Sequence, residues 1–372
     1  MPMHQARVEV DLGAIRRNAL ALQAIVGPAA RLCPVVKANA YGHGLAPVAL
    51  ALQDLPGVWG LAVARGEEAL ALREAGLAGP LLVLGPPPEE GAAELARAQI
   101  TVGIGSADDL QALTSQLAAT GLALDAHLKV NTGMCRMGVE VEEVGGLAAQ
   151  MQTGPVRLTG VYSHLATAEA ADLAFAREQL GNFHRALEGL STAGLLRHLA
   201  NSAGLVRLPE ARLDLVRPGA ILYGLNPGMP PAEMPALEPA LRVVSRVAEV
   251  KTLPPGCTVG YGRRHRTERR SAIALVPVGY GDGYSRALGG VGDVLVGGRR
   301  ARVVGAVNMD SITVDVTDLP RVRPGDEVVL IGSQGAERVS VEELAERAGT
   351  ISHEIPTRLG PRLPRLYHGG EA

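Results

Sequence analysis

Residues 31–44 read RLCPVVKANAYGHG, and the fold turns on this stretch. Its first half, 31–37, is an apolar run of β type that ends on Lys37. An open doubly wound sheet that binds a dinucleotide needs a GxGxxG turn after its first strand, and an acidic residue to hold a ribose. The turn here is KANAYGHG, with neither feature. The GxG fragment within 102–105 is an ordinary turn. Outward from this stretch, further β runs follow at 58–63, 81–84, 100–104, 126–130, 158–163, 198–202 and 213–216. Stretches rich in Ala, Leu and Glu separate most of them, as at 67–75, 107–119 and 173–193, with apolar residues recurring every three or four positions. The link after Ser202 is short and its helical pattern weaker.

Strands alternating with helices make a parallel sheet, and eight of them over this length fit a closed (β/α)8 TIM barrel. The expected fold class is therefore α/β, a (β/α)8 TIM barrel at 12–230 followed by a mainly β C-terminal domain at 236–372. An N-terminal strand within 1–11 is expected to join the second domain. Between them, NPGMPPAEMPALEP at 226–239 clusters prolines that exclude a regular helix or strand. Beyond it, β runs at 241–253, 272–278, 294–296, 301–307, 311–316 and 327–331 alternate with glycine and proline turns. One helix is expected at 341–348, with Ser340 as N-cap and acidic residues in its first turn.

Composition narrows the function. Hydrophobic residues at 47% and charged residues at 20% are ordinary for a soluble globular protein. A net charge of -2 without a basic block gives nothing to attract nucleic acid or an anionic membrane. The start, MPMHQARVEV, lacks the apolar core of a signal peptide, and no run is long and apolar enough to span a bilayer, so a cytoplasmic location is expected. Cys33, Cys135 and Cys257 are far apart and lack metal-type spacing, so neither a disulfide framework nor a metal site is expected.

In a (β/α)8 barrel the chemistry gathers at the C-terminal ends of the strands. On this reading Lys37 ends the first strand, Arg136 follows the fifth, His164 ends the sixth, Ser202 ends the seventh, and Arg217 with Gly219 follows the eighth. A lysine closing a buried strand can simply extend its amine to water. Lys37, however, follows five residues that are apolar or proline, and desolvation lowers an amine's pKa and suits it to Schiff-base formation. Only Lys37, Lys129 and Lys251 are lysines among 36 basic residues, so lysine chemistry has few candidates. Ser202, Gly204 and the Gly219 turn lie where barrel enzymes often bind phosphate. A Schiff-base lysine beside a phosphate pocket implies pyridoxal phosphate.

Eight segments, in order, carry a family resemblance: VVKANAYGHG (35–44), LKVNTGMCRMG (128–138), YSHLATA (162–168), RHLANSAG (197–204), RPGAILYGL (217–225), VGYG (259–262), PVGYGDG (277–283) and VNMD (307–310). Together they resemble the alanine racemases, the barrel-type class of pyridoxal-phosphate enzymes, over essentially the whole chain. The resemblance implies interconversion of L- and D-alanine, supplying D-alanine for peptidoglycan. It also implies a head-to-tail homodimer with shared active sites and a two-base mechanism. The lysine matching Lys37 carries the cofactor and serves one face; the tyrosine matching Tyr261, from the partner subunit, serves the other. One group removes the Cα proton and the other returns one from the opposite side. A phenol in water is a poor base at neutral pH; in the family the histidine matching His164 contacts this tyrosine and, in turn, the arginine matching Arg217.

Arg217 is implied to donate to the pyridine nitrogen. An arginine cannot accept a proton, so the ring nitrogen stays unprotonated, which limits the carbanion's lifetime and discourages transamination. The resemblance places Arg136 near the phenolic oxygen and the substrate carboxylate. It has Lys129 brace that arginine, as a lysine carbamylated in several members. Tyr41 and Ser202 match phosphate ligands, Gly219 and Ala220 offer backbone donors, and Asn201 belongs to the same pocket. Tyr280, Met309 and Asp310 match the partner-subunit wall near the substrate, with the Met309 amide for the carboxylate. There are departures: Pro361 stands where some members have tyrosine, Ala306 where some have arginine, and Asn131 replaces a frequent aspartate. They shape the entrance and pocket.

Four alternatives stay open, the blandest a barrel with no cofactor, which absorbance near the aldimine band would decide. A broad-specificity or serine racemase is separable only by assay. A fold-related amino-acid decarboxylase would pair the pyridine nitrogen with an acid, against Arg217 and Tyr261. A non-catalytic pyridoxal-phosphate-binding protein would resemble the barrel alone, whereas about a third of this chain lies beyond the linker.

Overall fold

The computed structural model describes residues 6–370. The chain divides into two compact units: Ile15–Glu238, and the described residues up to Ala14 together with those from Pro239 onward.

In the first unit, eight strands lie in parallel: Arg31–Leu32, Leu61–Val63, Leu81–Val83, Ile100–Ile104, Leu124–Asn131, Val156–Tyr162, Leu196–His198 and Leu215–Val216. Each pairs with its sequence neighbour from the second onward, and Leu215 returns to pair with Arg31. Single bridges from Leu32 to Val58 and from Val35 to Ala62 complete the ring. This is the (β/α)8 barrel expected from the alternation. The intervening helices bury one face each. Ala174–Leu187 hides Ala176, Gln179, Leu180, Phe183 and Ala186 at helical spacing, and Ala107–Leu117 opens on Ser106, whose hydroxyl accepts from the Asp109 amide at 3.1 Å.

Several boundaries shift by a few residues, as in the second strand, Leu61–Val63 where 58–63 was expected, and three of the shifts bear on the rim. The first strand stops at Leu32, not Lys37, because Pro34 has no N–H to continue the ladder. The extended path persists through isolated bonds, Val35 to the Pro218 carbonyl and Val36 to the Ala62 carbonyl, so Lys37 still arrives at the C-terminal rim. The sixth strand ends at Tyr162, two residues before His164. The seventh is Leu196–His198; Ser202 does not end it but opens the helix Ser202–Arg207, with Asn201 as its cap.

The second unit is a sheet in the order Glu249–Leu253, Ser271–Val276, Ile312–Asp315, Arg299–Val304, Asp293–Val296, Glu327–Gln334, Leu241–Arg246, Arg7–Asp11, Arg365–His368, with Glu337–Val339 beside Glu327–Gln334. Arg7–Asp11 joins it as the N-terminal strand, burying Val8 and Val10 by strict alternation; residues 1–5 of the expected segment lie outside the described residues. The single run expected at 241–253 is two strands in different places in the sheet. The exposed strand Arg365–His368, RLYH, has too little apolar alternation to be read from sequence. Helix Val341–Ala348 forms as expected, its cap Ser340 accepting from the Glu343 amide at 3.1 Å. Among the described residues no helix is long and apolar enough to cross a membrane.

Candidate active site

Lys37 opens a turn of unusual backbone. Ala38, Asn39, Ala40 and Tyr41 all hold positive φ, at 52°, 55°, 53° and 53°. Left-handed geometry costs an L-residue about 1–2 kcal/mol, so four in succession persist only where neighbours hold them. The Ala38 amide donates to Glu68 Oε1 at 2.7 Å, and the other Glu68 oxygen accepts from the Ala64 amide at 2.9 Å. One carboxylate thereby ties the Lys37 turn to the end of the second barrel strand. The Leu45 amide donates to Asn39 Oδ1 at 2.8 Å, and the Tyr223 hydroxyl to the Val35 carbonyl at 3.0 Å.

Lys37 faces a cavity of about 440 Å³ that Lys129, Arg136, Arg217, Tyr162 and His164 also line. Four cationic side chains meet there, and no described carboxylate lines it. The electrostatics follow. Burial lowers the Lys37 amine below the ordinary lysine range, the Arg136 charge adding to it and Glu68 opposing it. Lys129, 5% exposed, is brought down to about 8 by burial, then by Arg136, Arg217 and Lys37. Burial and the same cations hold His164 neutral, well below its usual pKa.

Arg217 is 3% exposed and fully engaged on its inner side. Its Nη2 donates to the carbonyls of Ser163 at 2.6 Å and Leu199 at 3.2 Å, with His164 Nδ1 at 3.4 Å. Its Nη1 lies 2.6 Å from His198 Nδ1. Arg136 stands exposed on the loop after the fifth strand. Asn131 builds that loop: its Oδ1 accepts from the amides of Gly133 at 3.2 Å and Cys135 at 3.0 Å, and its Nδ2 donates to Glu140 Oε1 at 2.8 Å. The departure from aspartate is thus explained, since a carboxylate at 131 would meet the Glu140 carboxylate.

A second group of the expected residues is held together at the last two strands. Ser202 Oγ accepts from the Gly219 amide at 2.9 Å. Asn201 caps its helix by accepting from the Gly204 amide at 2.9 Å and donates to the Leu165 carbonyl at 3.2 Å. A Cβ on Gly219 would stand 2.4 Å from the Tyr41 hydroxyl, which explains the glycine. Burial pushes that hydroxyl up to about 12, so it stays a proton donor. Ala220, buried, opens the turn Ala220–Tyr223.

Tyr261, Tyr280, Met309 and Asp310 belong to the other unit. Tyr261 stands 79% exposed on a turn between the short strands Thr258–Val259 and His265–Arg266, flanked by Gly260 and Gly262 at φ 68° and 70°. Two loops meet back to back to present Tyr280 and Met309 to solvent: the Tyr280 amide donates to the Asn308 carbonyl and the Gly281 amide to the Met309 carbonyl. Asp310 pairs with Arg362 at 2.7 Å. Of the departures, Ala306 is buried and Pro361 exposed. Sequence reasoning missed Glu68, Tyr162, His198 and His127. The available signal was polar residues at alternate positions of one strand, His127 and Lys129, where an apolar core is the norm.

Residues 10–227 match the model of the alanine racemase N-terminal domain, and residues 240–367 that of its C-terminal domain. The chain belongs to the alanine racemase family. Alanine racemase of Symbiobacterium thermophilum is 44% identical, over 99% of this chain and 98% of its own. That of Desulfovibrio desulfuricans is 40% identical, over 96% and 97%. Among solved structures, alanine racemase from D-cycloserine-producing Streptomyces lavendulae superposes with a TM-score of 0.93 at 37% identity, covering 100% of this chain and 99% of that one. The Bacillus anthracis alanine racemase with bound L-Ala-P gives 0.92 at 35%, covering 100% and 97%. Membership in this family makes the chain an amino-acid racemase.

Proposed function

We propose that the chain interconverts L- and D-alanine by a two-base mechanism dependent on pyridoxal phosphate, as a cytoplasmic head-to-tail homodimer supplying D-alanine for peptidoglycan. One observation carries the reading: a rim cavity where Lys37, Lys129, Arg136 and Arg217 converge with no described carboxylate. Such a site suits a dianionic phosphate ester joined to a phenolate ring. When bound, that cofactor supplies an electrophilic carbon for an amine and draws electrons from the substrate's Cα–H bond.

The residues divide the remaining work. Lys37, with its amine lowered by burial, has more of the free base at neutral pH; its Nζ would hold the cofactor and, once a substrate amine had displaced it, would be free to hold or return the Cα proton. Ser202 Oγ already accepts the Gly219 amide, so its own O–H is left to donate to phosphate, beside the Tyr41 hydroxyl and the Ala220 amide, with Asn201 shaping the loop. Arg136 faces the substrate carboxylate; the neighbouring Lys129 is a like charge that would brace it only once carbamylated, as in several members of the family. Arg217 presents N–H to the ring nitrogen and can take no proton from it. Tyr261, on its exposed turn, serves the opposite face from the partner subunit, next to His164. Tyr280 and the Met309 amide close the substrate end, with Asp310 held back by Arg362.

Chiral assay of cofactor-loaded protein on L-alanine, D-alanine and a panel including serine, lysine and arginine tests the substrate. Faster turnover of serine or a basic amino acid would reassign it. Borohydride should fix the cofactor on Lys37, read by peptide mass. Inactive Lys37→Ala and Tyr261→Phe proteins, mixed and allowed to exchange subunits, should recover up to about a quarter of wild-type activity, because half the dimers then hold one intact site. No recovery despite proven exchange would rule out a shared site.

A further inference from the structure

The interior of a (β/α)8 barrel is normally filled with branched aliphatic side chains. Here a polar line runs through it. Arg217 Nη1 lies 2.6 Å from His198 Nδ1, and His198 Nε2 lies 2.8 Å from His127 Nδ1. All three are buried: Arg217 is 3%, His127 1% and His198 0% exposed. Tyr162 stacks flat on His198, at 5.0 Å and 6°. The line ends at the N-terminal end of the strands, where His127 borders a second cavity of about 330 Å³ beside Trp59. Backbone has been cleared for it. A Cβ on Gly160, the cross-strand partner of His127, would stand 2.7 Å from His127 Nε2, and one on Gly103 would stand 2.4 Å from the Tyr162 hydroxyl.

The protons in this line have only one arrangement. A guanidinium only donates, so His198 Nδ1 accepts and its ring hydrogen sits on Nε2. That hydrogen has His127 Nδ1 as its acceptor, which leaves the His127 hydrogen on Nε2, toward the lower cavity. Burial and the Arg217 charge keep both rings neutral.

We propose that His127 is a positioning residue for Arg217: by accepting from His198 Nε2–H it fixes the tautomer in which His198 receives the Arg217 N–H. The proposal rests on the reading of Arg217 as the group facing the cofactor's ring nitrogen. Without an acceptor at 127, His198 holds a buried, unpaired N–H. Moving that proton to Nδ1 relieves it, but sets donor against donor at Arg217. Arg217 then loses an in-plane partner and its aim at the ring nitrogen, and solvent protonation of that nitrogen becomes competitive.

Neutron diffraction from crystals of the cofactor-loaded wild-type protein tests the tautomers without any variant. Hydrogen on Nε2 of both rings is expected; hydrogen on Nδ1 of either overturns the proposal. His127→Leu keeps bulk but removes the acceptor, whereas His127→Gln offers a carbonyl in its place. The Leu variant should raise the ratio of transamination to racemisation about tenfold, the scale of one lost hydrogen bond to a charged group. The Gln variant should stay near wild type. A Leu variant with an unchanged ratio, or a Gln variant that matches Leu, refutes the hydrogen-bond role, and if neither folds the neutron map decides alone. A wild-type protein that neither binds pyridoxal phosphate nor racemises alanine would instead sink the functional reading, and the tautomers would then be read from crystals of the protein as purified.

Discussion

At Lys37 opposing charges set how much free amine exists at a given pH. Burial and Arg136 lower its pKa, and Glu68 raises it. The rate at which cofactor-free protein captures pyridoxal phosphate should therefore rise with pH to a midpoint below the ordinary lysine value. Arg136→Gln should move that midpoint up and Glu68→Gln should move it down; stopped-flow absorbance reads both, and shifts in the opposite directions would discard this electrostatic account. Asn131 makes a second residue-scale case. Asn131→Asp sets two carboxylates together in place of the 2.8 Å bond to Glu140. It should loosen the Arg136 loop and raise the KM for alanine several-fold at neutral pH, with recovery in the double variant that adds Glu140→Gln. Lys37 could be singled out in the sequence because lysine is so rare in the chain. Glu68 could not, since its role is created by a backbone turn thirty residues away.

At the scale of elements, the left-handed turn after Lys37 and the Ser202–Gly219 pair matter most. At Gly219 a Cβ would meet the Tyr41 hydroxyl at 2.4 Å. Gly219→Ala should leave the fold intact and weaken cofactor affinity on the order of tenfold, as one displaced hydrogen-bonding group would; a titration showing unchanged affinity would refute that. In the other unit, Ser340→Ala should cost about 1 kcal/mol of unfolding free energy, the usual loss of an N-cap, while Ser340→Asp should cost little. Chemical denaturation separates the two. Helix 341–348 was legible to the residue because cap and acidic first turn are both local signals. The ends of the first and seventh barrel strands were not. Apolar content continues past Leu32 and past His198, and only the ladder partners, or a proline without an N–H, determine where pairing stops.

Across the whole molecule, three histidines held neutral in the fold, His127 and His198 buried and His164 half-buried, make folding sensitive to acid. His127, His164 and His198 all have folded pKa values below the free value of 6.5, His127 down to about 3. The unfolded chain then binds more protons below pH 6.5. Their stabilisation is complete above that pH and is lost progressively as the pH falls toward the folded values. The urea midpoint should drop between pH 6.5 and 5, above the range where most carboxylates titrate, and more gently in His127→Leu; a flat profile there would contradict the burial of neutral imidazoles. The alternation of runs and helices, the proline-rich linker, and the ordered motifs determined the barrel, the β unit and the family by themselves, since each is written in local spacing and residue type. The polar line from Arg217 to His127 was decided only by the tertiary structure. His127 and His198 lie on two different strands and Arg217 just past the end of a third, and only closure of the sheet brings their nitrogens within hydrogen-bonding reach while two glycines clear the space around them.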